Sequence, residues 1–211
     1  MSRSVEFFYD LSSPWTRIAF ANFRAAIAGM DVAVRWRPFL VGGVFNAVNQ
    51  RVYESRQNPD DPRFRRSFIW LKEWARLAGL PMNFPSPHHP VKSVHAMRFC
   101  CALEDDPEAL LRFSEAAFEA YFTEQRNIDE PEELERIADA CGLDGAALRA
   151  AASSDACKAR LRENTQEAID RGAFGSPTLI VDGRFLYFGN DQLPLVLQRL
   201  AAPEGAEGLE A

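Results

Sequence analysis

Two apolar runs separated by one helical stretch open the chain, and that order limits what can be built from it. Val5-Glu6-Phe7-Phe8-Tyr9-Asp10 reads as a buried strand, because a run this apolar and aromatic suits a strand covered on both faces. It passes through Leu11-Ser12 into Ser13-Pro14-Trp15-Thr16, the start of a helix reaching about Ala28. Serine followed by proline fits a helix start, since serine caps and proline tolerates the first turn. Ile18, Phe20, Ala21, Phe23 and Ala25 leave little of that helix polar, so it is expected to be buried on more than one side, with Gly29 ending it. Val32 to Pro38 then alternates, in its later part, as a half-buried strand does. Short links between strand, helix and strand imply a parallel pair with a right-handed crossover.

From about Gly42 to Arg171 the pattern becomes helical. Phe64, Phe68, Leu71, Ala75 and Ala78 make one helical stripe, and Trp70, Trp74 and Leu77 a second, so this helix is apolar on two sides. Asp106-Pro107-Glu108 reads as a helix start, Asp129 with Glu132 as a capping box, and Asp144 as a further start. A longer helix is expected from Asp155 to Arg171, with Leu161, Thr165, Ala168 and Ile169 inward and Gly172 closing it. The end returns to strands. Thr178-Leu179-Ile180-Val181 and Arg184-Phe185-Leu186-Tyr187-Phe188 flank Asp182-Gly183, a hairpin signal with a two-residue turn. A last helix spans Gln192 to Leu200. The fold class is therefore α/β, a four-stranded mixed sheet with a large all-helical insertion. The expected division is a sheet domain in two segments, 1-41 and 172-201, a helical insertion at 42-171 whose last helix leads back to the sheet, and a flexible tail at 202-211.

Composition narrows the function. A net charge of −6 disfavours nucleic acid as a partner. Charges interrupt every apolar run before membrane-spanning length, and Met1-Ser2-Arg3-Ser4 passes directly into the first strand, so a cytoplasmic protein without a leader is expected. Cys100, Cys101, Cys141 and Cys157 show neither Cys-x-x-Cys nor zinc spacing, which predicts free thiols in helical packing. His88-His89 sits in the Pro-rich stretch Ser86-Pro87-His88-His89-Pro90 and reads as loop, so no metal is assigned.

Ser13 has two readings. It is a plain N-cap, or it stands where unpaired amides and the helix dipole favour an anion and donates a charge-assisted hydrogen bond to it. Phe174-Gly175-Ser176-Pro177-Thr178 leads into the third strand; Pro177 is either a trans proline at a strand start or a cis proline that turns the Ser176 backbone outward as a template. Asn190 and Asp191 cap the last helix, or Asp191 accepts an ammonium group while the helix start receives a carboxylate. Arg63, Arg65 and Arg66 form a solvated charged face or hold a carboxylate. Trp15, Trp70 and Trp74 are aromatic residues for a pocket wall or for the core.

Strand, helix-opening turn and distant X-Pro before a strand resemble a thioredoxin-type site with Ser-Pro-Trp-Thr in place of Cys-x-x-Cys. A hydroxyl cannot exchange disulfides, so the site more naturally steadies a thiolate brought by glutathione. Residues 8–14 (Phe-Tyr-Asp-Leu-Ser-Ser-Pro), 37–45, His95-Ala96-Met97-Arg98, 172–178 and Phe188-Gly189-Asn190-Asp191 together resemble the 2-hydroxychromene-2-carboxylate isomerase family and the sister kappa-class glutathione transferases. Both are DsbA-like, a thioredoxin fold with a helical insertion, and the resemblance runs from about Val5 to Leu200. It implies Ser13 as the thiol-activating residue, Ser176 with Pro177 as a backbone contact to glutathione, Asn190 and Asp191 at the γ-glutamyl group, and Arg63 as the counterpart of a basic residue near the glutathione carboxylate. A glutathione-dependent isomerase acting on an aromatic ring-cleavage product is the expectation, with a small aromatic acid as substrate and Trp15 in its pocket. A homodimer is implied by resemblance alone. The alternatives are a kappa-class-like transferase or peroxidase, and a non-catalytic ligand-binding protein of the same fold.

Overall fold

The computed structural model describes residues 3–53 and 61–202, apart from the side chains of Arg63 and Phe64. Strand β1 (Arg3–Tyr9), helix α1 (Pro14–Ile27) and strand β2 (Val32–Pro38) open the chain. Helices α2 (Val41–Val48), α3 (Pro62–Leu77), α4 (Val94–Ala102), α5 (Pro107–Phe122), α6 (Pro131–Ala140), α7 (Gly145–Ala152) and α8 (Asp155–Asp170) follow. Strands β3 (Thr178–Val181) and β4 (Phe185–Phe188), a 3-10 turn at Asn190–Gln192 and helix α9 (Leu193–Ala201) complete it.

The sheet order is β2-β1-β3-β4. β1 runs parallel to β2, with Phe7 opposite Trp36, and antiparallel to β3, with Phe7 opposite Leu179. Alternation along β1 sends Phe7 and Tyr9 to one face and Phe8 to the other. Phe7 stacks on Phe23 of α1 with ring centroids 5.4 Å apart, while Phe8 joins a second cluster with Phe39, Val44, Ala168 and Ile180. Both faces of the central strand are thus covered, as its Phe7-Phe8-Tyr9 run suggested. Arg37 of β2 is buried beneath α4 and α8. Its guanidinium meets Glu6 at 3.0 Å, Glu104 at 3.3 Å and Asn164 at 2.8 Å, and also pairs with Glu167.

Several expectations need correction. α6 begins at Pro131 with Glu130 as its N-cap and no side-chain cap, so Asp129 does not form the expected box; proline at the first helical position fixes the start instead. The hairpin loop holds three residues, because Val181 pairs with Phe185 and Arg184 N–H donates to the Val181 carbonyl at 3.0 Å. Asp182 and Gly183 do take positive φ, 51° and 69°. In α3, Leu71 and Ala75 are buried, yet Trp70 is 51% and Leu77 74% exposed, so the second apolar stripe largely faces solvent. Trp74 packs partly against the core. The tail from residue 203 lies outside the described residues.

Candidate active site

The loop between β1 and α1 delivers Ser13 to the helix N-terminus. Ser13 is the N-cap, with extended backbone (φ −90°, ψ 118°). Its Oγ accepts the Thr16 N–H at 3.2 Å and donates to the Ser176 carbonyl at 3.2 Å. One hydroxyl therefore joins the helix start to the segment ahead of β3, 163 residues away. In the first turn, Pro14 has no N–H and Thr16 is capped, which leaves the Trp15 amide as the donor the cap does not engage. The Ser176–Pro177 peptide is cis.

The Ser176 side chain does a different task from its carbonyl. Its Oγ accepts the Asp10 N–H at 3.0 Å and lies 2.7 Å from the Thr16 hydroxyl, all of it buried. Asp10 is the second anchor. Its Oδ1 accepts from the Ser12 amide and hydroxyl at 2.9 and 2.8 Å, and its Oδ2 from the Val41 amide and the Ser93 hydroxyl at 2.9 Å each. Burial raises the Asp10 carboxyl above the ordinary carboxylate range, against the lowering effect of those four donors. Asp10 thus holds the serine loop, the start of α2 and the start of α4 together. The sequence carried a signal for it, since aspartate two residues before a serine in a turn makes an Asx turn.

A cavity of about 260 Å³ opens beside these serines. Ser12, Ser13, Trp15 and Ser176 line it together with Phe45, Phe68, Phe84, Phe174 and Phe188. Trp15 therefore stands in the wall, while Trp70 and Trp74 do not line it. His89, read from sequence as a loop residue only, also lines it. Finding it needed the tertiary fold, because the loop meets α5 only in three dimensions: His89 Nδ1 lies 3.2 Å from the Tyr121 hydroxyl.

Asn190 and Asp191 do not reach the cavity lining. Asn190 is buried, its Oδ1 accepting from Asn22 of α1 at 2.8 Å. Asp191 is exposed in the 3-10 turn, where Gly189 (φ 90°) leaves room for its carboxylate; a Cβ there would sit 2.7 Å from it. That turn starts two residues after Phe188, which lines the cavity. Arg63 belongs to α3, and its side chain lies outside the described residues. The cysteines are free. Burial pushes the Cys100 thiol up to about 12 and raises Cys101, Cys141 and Cys157 as well, so none is a ready nucleophile. Among the described residues no group of three or more metal-ligating side chains converges, and no helix is long and apolar enough to cross a membrane.

A family profile described as a DSBA-like thioredoxin domain matches residues 4–201. The chain is similar to Glutathione S-transferase kappa 1 of Rattus norvegicus, 28% identical over 208 residues covering 92% of this chain and 89% of that protein. It is similar to 2-hydroxychromene-2-carboxylate isomerase of Sphingobium xenophagum, 24% identical over 92% of this chain and 95% of the relative. A solved 2-hydroxychromene-2-carboxylate isomerase superposes with a TM-score of 0.76 at 23% identity, covering 93% of this chain and 94% of that one, which shows a shared fold.

Proposed function

Because the chain belongs to the family of DSBA-like thioredoxin domains yet carries serine and threonine at the helix start, we propose that it is a glutathione-dependent isomerase of aromatic ring-cleavage products. The observation that carries this reading is the Ser13 hydroxyl, an N-terminal helix cap on the wall of an apolar cavity. The relatives named for glutathione transfer and for chromene-carboxylate isomerisation support it.

The residues present fit a bound thiolate. The first turn of α1 offers the Trp15 amide and the Ser13 hydroxyl, with the dipole favouring negative charge. A free thiol has a pKa of about 8.5, and lowering it by two units takes roughly 2.7 kcal/mol. A charge-assisted hydrogen bond of about 1.5–3 kcal/mol and a dipole contribution of about 0.3–1 kcal/mol cover most of that. The Ser13 proton must turn away from the Ser176 carbonyl to reach the sulfur, which offsets about 1 kcal/mol. When bound, glutathione supplies a thiolate that adds reversibly to the electrophilic carbon of an unsaturated carbonyl compound, making a double bond rotatable until the thiolate leaves.

Ser13 holds the charge, and the Ser176 backbone aligns the peptide once the Ser13 hydroxyl releases its carbonyl. Asp191 in the turn after Phe188 receives the γ-glutamyl ammonium, with Asn190 fixing that turn through Asn22. Arg63 on α3 is the proposed partner of the far carboxylate. Trp15 and the phenylalanine wall exclude water from the reacting carbon. The test is incubation with 2-hydroxychromene-2-carboxylate and glutathione, followed by product analysis. Isomerisation with glutathione recovered unchanged is expected. A stable glutathione adduct would assign transfer instead, and lack of glutathione binding would remove both.

A further inference from the structure

A second cavity, of about 280 Å³, opens among α4, α6, α7 and α8 and shares no lining residue with the one beside Ser13. His95 and Arg98 of α4, Arg149 of α7 and Lys158 of α8 line it. Residues 95 and 98 are three apart and so share a face of α4, and α4 packs against α6, α7 and α8. Basic side chains from three helices therefore converge. No carboxylate is among the described lining residues, although acids outnumber bases 30 to 24 in the chain. We propose that this cleft is an anion site that takes the phosphate group of a small phosphorylated molecule, with Arg98 as its anchor. The site is separate from the isomerase reading and does not rest on it.

Arg98 is half-buried, and its Nε is buried with no hydrogen-bond partner. Among the described residues no carboxylate pairs with its guanidinium. A guanidinium keeps its charge at any ordinary pH, and a charge withdrawn from water without a partner is costly. Cys157 of α8 lies within electrostatic reach, its Sγ donating to the Arg98 carbonyl at 3.1 Å. Burial raises that thiol, so it stays neutral and supplies no countercharge. The other two permanent cations have partners that an anion can displace. Arg149 meets Glu132 at 2.6 Å and Glu135 at 3.1 Å, and Lys158 meets Asp155 at 3.0 Å. Glu132 and Asp155 are largely exposed, and solvated pairs of this kind hold their partners weakly. Lys158, on its flexible stem, can turn from Asp155 into the cleft. A neutral His95 adds one ring N–H. A phosphate group, with three terminal oxygens and a charge of about −1.5 to −2 at pH 7, suits several separate donors and the planar fork of an arginine. Drug-sized ligands occupy pockets of about 300–1,000 Å³, so a cleft of this size takes a small molecule.

Calorimetric titration with glycerol 3-phosphate tests this, with glycerol as the uncharged control, inorganic phosphate as a second probe and no glutathione present. Wild-type protein is expected to bind the ester but not glycerol, and more weakly as sodium chloride is raised. Arg98→Gln should weaken binding at least about ten-fold, the scale of one charge-assisted hydrogen bond. Lys158→Gln should weaken it by a smaller factor. Arg76→Gln removes the same charge from an exposed position on α3 and should bind as the wild type does. Comparable binding of inorganic phosphate supports a site for the phosphate group alone, and a preference for the ester supports an organic phosphate. Absence of ester binding by the wild type overturns the proposal. So does wild-type affinity in a folded Arg98→Gln, or an equal loss in Arg76→Gln. Should Arg98→Gln melt well below the wild type, unchanged affinity in Lys158→Gln overturns it instead. Because glutathione is absent, failure of thiolate stabilisation at Ser13 leaves this readout unchanged, and the two ideas fall separately.

Discussion

Ser176→Ala removes a hydroxyl that joins three chain segments while leaving the backbone proposed to meet glutathione. The lost oxygen is the acceptor for the buried Asp10 N–H at 3.0 Å and the partner of the buried Thr16 hydroxyl at 2.7 Å. Leaving a buried amide unpaired costs about 1–3 kcal/mol, and loss of the second bond adds about 1 kcal/mol. The sum is about 2–4 kcal/mol. For a chain of this size, each kcal/mol moves the melting temperature by roughly 2–4 °C, so the variant should melt roughly 5–15 °C lower. Urea unfolding gives the free energy, and an unchanged m-value shows that the unfolded state is the same. A cycle with Thr16→Val should return a coupling of about 0.5–1.5 kcal/mol, since the two hydroxyls touch. Glutathione affinity, measured well below the melting temperature, should stay within about a factor of two, a few tenths of a kcal/mol. A variant as stable as wild type would refute the structural role, and lost affinity at unchanged stability would place the side chain in the binding contact instead.

Asp10→Asn tests the buried carboxyl. Its raised pKa means that its contribution to stability is fully present below the unfolded carboxylate pKa of about 3.9 and is lost as pH rises through the folded value. The stability of wild type minus that of the variant should therefore fall with rising pH in urea unfolding; a difference that rises contradicts the desolvation argument. Gly175→Ala places a Cβ 2.5 Å from the Phe188 ring, so that ring or the backbone must shift. It should cost about 1–3 kcal/mol in urea unfolding, and wild-type stability would show that the close approach is tolerated. Cys100, held as thiol by burial with its pKa pushed up to about 12, should resist alkylation at pH 8 in folded protein and react on unfolding; mass spectrometry of the labelled peptide decides.

The sheet was legible because β1, β2 and β3 announce themselves by apolar runs at strand period, and α1 by a serine-proline start. Ser13 and Ser176 were legible for the same local reason. Their mutual bond was not, since no local pattern connects residues 163 positions apart. Errors arose where two local rules competed. The Asp129 and Glu132 spacing is that of a capping box, but Pro131 already fixes φ at the first helical position and places the cap at Glu130. Trp70 and Leu77 are apolar and exposed, because a helix packed along one stripe leaves its other side to solvent whatever its composition. Asp10 and His89 owe their roles to elements that meet only in the fold, α2 and α4 for one and α5 for the other.

The most direct test of thiolate stabilisation at the α1 N-terminus is the proton count on glutathione binding at pH 7. Calorimetry in buffers of different ionisation enthalpy supplies it for wild type and Ser13→Ala. A free thiol of pKa about 8.5 is almost wholly protonated at that pH, and one lowered by about two units is mostly ionised. Wild-type protein should therefore release most of one proton per glutathione, and Ser13→Ala far less. Equal release by the two proteins, or binding to wild type without release, would contradict the assignment of Ser13.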